Sequence, residues 1–204
     1  MAKLWLDDAL WSVIESLLPP EKSVGPQGGR PWVPHRPALK VILYVLKSGI
    51  AWEDVPRELG CSGVTAWRRL RDWQQLGVWE KLHRELLNRL WAKGRIDWSR
   101  ASIDGSSVPA PKGGPDGAEP DGSGEDRHDV KTALSTVQAI PPEISRRRTQ
   151  DRLGKYRWVV ERAFSWINQF RRLRIRYERL AEMHLAFLYL GCAVICWRAL
   201  TRWL

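Results

Sequence analysis

Gly60-Cys-Ser-Gly-Val-Thr-Ala-Trp-Arg-Arg-Leu-Arg-Asp-Trp73 is the stretch on which the reading of this chain turns. Gly60 ends one short segment, and Ser62 is placed to cap a helix running from Gly63 to Gln75. At about 100° per residue, Ala66, Trp67, Leu70 and Trp73 fall in one arc, and Thr65, Arg68, Arg69 and Asp72 fall opposite. A preceding helix at about Trp52–Leu59 makes the pair a helix-turn-helix over about 52–75. Its second helix then offers Thr65, Arg68 and Arg69 to a DNA major groove, where arginine suits bidentate contact with guanine. The same pattern also describes an amphipathic surface helix with solvated arginines.

Outward from this stretch the chain reads as mainly α. Asp7 caps a helix to Leu18, stopped by Pro19-Pro20, and Pro37 opens another over Ala38–Lys47 that ends at Gly49. A further helix over Val78–Lys93 turns Trp79, Leu82, Leu86, Leu87 and Leu90 inward. Residues 98–108 read as a strand. Residues 109–127 are Pro, Gly, Ala, Ser and acidic residues with little to bury, a loop or disordered segment. A short helix is expected over 128–139 and a longer one over 155–170, with Val159, Val160, Ala163, Phe164 and Ile167 on one face. Arg171-Arg-Leu-Arg-Ile-Arg176 alternates basic and apolar residues, and a final helix spans about Leu180–Leu200.

The chain has 204 residues, a formal charge of +10 and thirteen Trp. The charge is concentrated: residues 145–204 hold 14 basic and 4 acidic groups, whereas residues 111–144 hold 3 and 7. A segment this basic attracts a polyanion, nucleic acid first. Three cysteines, Cys61, Cys192 and Cys196, make neither a disulfide framework nor a zinc spacing. The longest apolar run, Leu185–Trp197, is too short for a membrane span of about twenty residues. A cytoplasmic protein associated with the nucleoid when DNA-bound, and not with a membrane, is expected.

Two blocks carry a family resemblance: the stretch Gly60–Trp73 followed by Ser102-Ile-Asp-Gly-Ser106, and Tyr156-Arg-Trp-Val-Val-Glu-Arg-Ala-Phe-Ser-Trp166 followed by Gln169-Phe-Arg-Arg-Leu-Arg-Ile-Arg-Tyr-Glu-Arg179. Together they resemble bacterial insertion-sequence transposases of the DDE class, in the insertion-sequence-five group. The resemblance implies a helical DNA-binding domain, here residues 1–95, and an RNase H-like α/β catalytic domain, here 96–204. It implies that Asp104 is the first catalytic acid and Glu161 the last, both metal ligands, with Arg157 one turn before Glu161. It also implies Mg2+ or Mn2+, since hard cations prefer carboxylate oxygen and two metals clamp an in-line phosphoryl displacement. The implied partner is double-stranded DNA at the terminal inverted repeats of the element, contacted by Arg68, Arg69 and Arg157 and, at phosphates, by Arg171, Arg172, Arg174 and Arg176.

The family's second acid lies in a segment resembling Ala-Asp-Arg-Gly-Tyr, and no such segment stands between Asp104 and Glu161. Residues 105–160 are too few for the remaining strands and crossover helices of an RNase H-like sheet. The chain therefore reads as an internally deleted transposase, with breaks after Gly114 and Pro142. Two functions follow: a transposase with impaired or no catalysis, or a DNA-binding remnant that competes with an intact enzyme. A decayed product without a role is a third. Without its sheet, the apolar face around Phe164 and Ile167 needs cover from the final helix, from the N-terminal helices or from a second copy in a homo-oligomer.

Overall fold

The computed structural model describes residues 6–21, 32–94 and 165–201. Among them the α-helices are α1 (Asp8–Glu15), α2 (His35–Ser48), α3 (Gly63–Gln75), α4 (Val78–Ala92), α5 (Arg171–Arg174) and α6 (Ala181–Thr201). Two 3-10 turns, Trp52–Asp54 and Arg57–Leu59, join α2 to α3. The described residues contain no strand. The expected strand at 98–108, the segment 109–127, the helix at 128–139 and most of the helix at 155–170 lie outside them.

Local chemistry sets the helix ends. Asp7 caps α1, its Oδ1 accepting from the Leu10 amide at 2.7 Å. The helix stops at Glu15 rather than Leu18. Its last turn tightens into i→i+3 bonds, Leu17 N to Ile14 O at 2.9 Å and Leu18 N to Glu15 O at 3.2 Å, before the proline pair. α2 begins three residues earlier than the expected Ala38. Pro37 stands in its first turn, where a missing N–H costs nothing, and Gly49 ends it at φ 73°.

The expected helix at 52–59 does not form. Pro56 has no N–H to donate and holds Val55 in an extended conformation (φ −64°, ψ 125°), so the segment divides into the two 3-10 turns. The helix that precedes α3 is therefore α2, across a long connection. Gly60 (φ 78°) and the Ser62 cap, whose Oγ accepts from the Thr65 amide at 3.3 Å, start α3 at the expected residue.

α2 and α6 are buried almost all round, as central helices are. α4 lies along α6, α3 packs on α2, α4 and α6, and α5 wedges between α2 and α6. The Trp52 ring stacks on Phe187 at 5.8 Å, and the Trp79 indole N–H donates to the Leu70 carbonyl at 3.2 Å. One hydrophobic core runs through residues on both sides of position 95, joining Leu39, Ile42, Trp73 and Leu86 to Phe170, Leu173, Phe187 and Leu190. Ile167 packs at its edge. The final helix thus supplies the cover that the N-terminal helices need.

At 21 residues, α6 is long and apolar enough to cross a membrane by length and composition, yet 72% of its most apolar window is buried inside the protein. The run count that made it too short stopped at polar residues the helix continues through. His184, on its first turns, is itself buried. All three cysteines are free and buried, and burial pushes the thiol pKa of Cys192 and Cys196 upward.

Candidate nucleic-acid interface

α3 is held from behind. Ala66, Leu70 and Trp73 are buried, and a Cβ on Gly63 would stand 1.7 Å from the Trp52 carbonyl oxygen. Glycine is required there because the first turn of α3 rests on the backbone of the 3-10 turn. The outward arc holds Val64, Arg68 and, at its edge, Arg71.

The expected contact residues on this helix divide. Arg68 is exposed, with no polar partner among the described residues. Arg69 turns back: its guanidinium lies 5.2 Å from the Trp32 ring and donates to the Val33 carbonyl at 3.4 Å. Thr65 is half-buried and its hydroxyl shares a 2.9 Å hydrogen bond with Ser62, so it belongs to the cap. Arg71 lies on the outer side, stacked over Trp67 at 5.4 Å and paired with Asp72 at 2.8 Å. The outer face is thus turned from the expected one toward Val64 and Arg71. The Trp67–Arg71 spacing of one helical turn was the available signal.

Arg69 also acts on the core. His35 is buried edge-on against Trp73 at 5.3 Å, and its pKa is lowered by burial first and by the Arg69 charge second.

The basic run 171–176 also divides. Arg171 and Arg174 are exposed, and Arg174 Nε donates to the Asn168 carbonyl at 2.6 Å. Arg172 and Arg176 are each only 6% exposed. Arg172 pairs with buried Glu178 at 2.5 Å, donates to the Ile50 carbonyl at 3.0 Å, and lies over the rings of Tyr177 at 5.1 Å and Trp52 at 6.0 Å. Arg176 donates to the carbonyls of Glu178 and Arg179, each at 3.3 Å. Both are corrected from phosphate contacts to structural groups. A buried arginine with a carboxylate partner is a clamp, and alternation with Leu173 and Ile175 was its sign. Through Trp52, the clamp ties α5 to the 3-10 turn on which the first turn of α3 rests.

Asp104, Arg157 and Glu161 lie outside the described residues. Among the described residues no group of three His, Cys, Asp or Glu side chains is placed to hold a metal ion.

Comparison with known proteins fixes the class. Residues 6–83 match the family described as "Putative transposase of IS4/5 family", and residues 127–198 match the transposase DDE domain. An uncharacterized 16.2 kDa protein of insertion element IS402 from Burkholderia cepacia is 55% identical over 112 residues, 54% of this chain and 76% of that protein. A "Putative transposase for insertion sequence element IS402" from the same organism is 58% identical over 67 residues, 32% of each chain. No solved structure matches. The chain belongs to the IS4/5-type insertion-sequence transposase family, and it spans about a third of the length of that IS402 transposase. Its short length fits a truncated copy. A DDE domain in general requires a divalent metal.

Proposed function

We propose that this chain binds duplex DNA at the ends of an insertion element through α3, and has impaired or no cleavage and strand-transfer activity. One observation carries the reading: α3 is locked into the core on one face and on the other presents the exposed Arg68, uncommitted among the described residues. That is what a recognition helix requires, a rigid support and a free base-reading side chain. Exposed Arg171 and Arg174, on the element tied to the 3-10 turn beneath α3, supply phosphate contacts.

The catalytic side of the proposal rests on Asp104 and Glu161 as inherited acids. Two carboxylates leave most of the oxygen positions of two hard cations unfilled. The chain therefore occupies element ends without cutting them and competes there with an intact transposase. The test is a gel assay with a labelled element end, Mg2+ or Mn2+, and a Glu161→Gln control. A shifted, uncut band is expected. Metal-dependent nicking that the control abolishes would establish an active transposase instead.

A further inference from the structure

The three arginines of α3 are not equivalent. Arg69 is held by Val33 and Trp32, and Arg71 by Asp72 and Trp67. Only Arg68 is uncommitted among the described residues. One turn before it, on the same side of the helix, stands Val64, an aliphatic side chain 53% exposed in the first turn of α3. A single exposed valine needs no explanation. This one shares the outer stripe with Arg68, the one arginine of α3 uncommitted among the described residues, at the N-terminal end of the helix, where recognition helices touch base edges.

Resting on the DNA-binding reading above, we infer that Val64 and Arg68 are the specificity pair of α3, with Val64 packing on the C5-methyl of a thymine and Arg68 bonding O6 and N7 of a guanine. These are the two major-groove features that an aliphatic side chain and an uncommitted guanidinium can each distinguish. Four residues of helix separate them by about 6 Å, so the two bases lie within one or two base-pair steps, each about 3.4 Å. Arg69 and Arg71, already held, set the helix's charge and leave the reading to this pair.

The test uses the full chain and a duplex that it selects from a library with a randomised core. Each thymidine of that duplex is replaced in turn by deoxyuridine, which removes only the methyl group, and each guanine by 7-deazaguanine, which removes only N7. At one thymine, deoxyuridine should weaken the wild-type protein about fourfold, the effect of one buried methyl group. The Val64→Ala variant should be indifferent to that replacement. At a guanine one or two steps away, 7-deazaguanine should weaken the wild type at least about fivefold and leave Arg68→Ala unaffected. Both side chains are outside the core, so circular dichroism should show both variants folded. A selected duplex on which Val64→Ala keeps the wild-type deoxyuridine profile overturns the inference and leaves the proposed function standing. Failure to select or bind any duplex overturns both.

Discussion

His83 lies on the inner face of α4, its ring 6.1 Å from that of Tyr189 and its Nε2 without a hydrogen-bond partner among the described residues. Burial pushes its pKa from 6.5 to about 4. A folded-state value below the unfolded one means that the unfolded chain binds more protons between these pH values. The stabilisation is therefore complete above pH 6.5 and is lost as pH falls toward 4, by roughly 3 kcal/mol in all. His35, lowered by burial and Arg69, acts with the same sign. Urea unfolding midpoints measured from pH 7 to 4 should fall steeply in the wild type and less steeply in His83→Leu; parallel profiles would exclude His83 as the source. Gly63 is the second sensitive residue. Gly63→Ala should cost more than about 3 kcal/mol, because the Trp52 carbonyl must move and α3 with it. A thermal melt within a few degrees of wild type would refute the close approach. The sequence showed Gly63 inside a capped helix start but gave no sign of the backbone resting on it, which comes from residues eleven positions earlier.

The contrast between neighbouring arginines in α5 belongs to the element. Arg172→Ala leaves Glu178 buried without its partner and should destabilise the fold by about 3–5 kcal/mol. Arg171→Ala and Arg174→Ala should leave the melting temperature near wild type. Each should instead flatten the log–log salt dependence of DNA binding by about one unit. A destabilised Arg174→Ala, or a stable Arg172→Ala with a flattened slope, would reverse these roles. The helix starts and stops of α1 to α4 were legible wherever a cap or a left-handed glycine marked them, at Asp7, Gly49, Gly60, Ser62 and Gly94. The helix expected at 52–59 fails at Pro56, which holds Val55 extended and divides the segment. The orientation of α3 was legible to within its two edges. Burial of Ala66, Leu70 and Trp73 follows from period alone, whereas the inward turn of Arg69 depends on Trp32, which no helical period reports.

For the whole molecule, the chief feature is a core built from residues on both sides of position 95. α6 was recognisable as a buried helix from its composition, but its partner was not. Its contacts with α4 and α3 span about half the chain, and local patterns carry no information about such pairs. A chain ending before residue 165 should therefore fail to fold: it uncovers the inner faces of α2 and α4, including Leu82 and Leu86. A broad, non-cooperative melt with strong dye binding is expected of it; a sharp melt near the wild-type temperature would show that the N-terminal helices suffice alone. The candidate acids Asp104 and Glu161 were legible only through family likeness, since an Asp-Gly pair and a helical glutamate are ordinary by themselves.

The joining of α6 to the N-terminal helices also fixes an order of events at the ribosome. α2, α3 and α4 are synthesised first and wait for a helix roughly a hundred residues behind them. At ordinary translation rates that wait is roughly five to twenty seconds. Helices form within about microseconds, so whatever helical structure α2 to α4 reach alone stays uncovered through that wait. During that interval the apolar faces that will meet Phe187 and Leu190 are open to other nascent chains. A factor that shields those faces until α6 clears the exit tunnel should therefore raise the protein's yield in a cell.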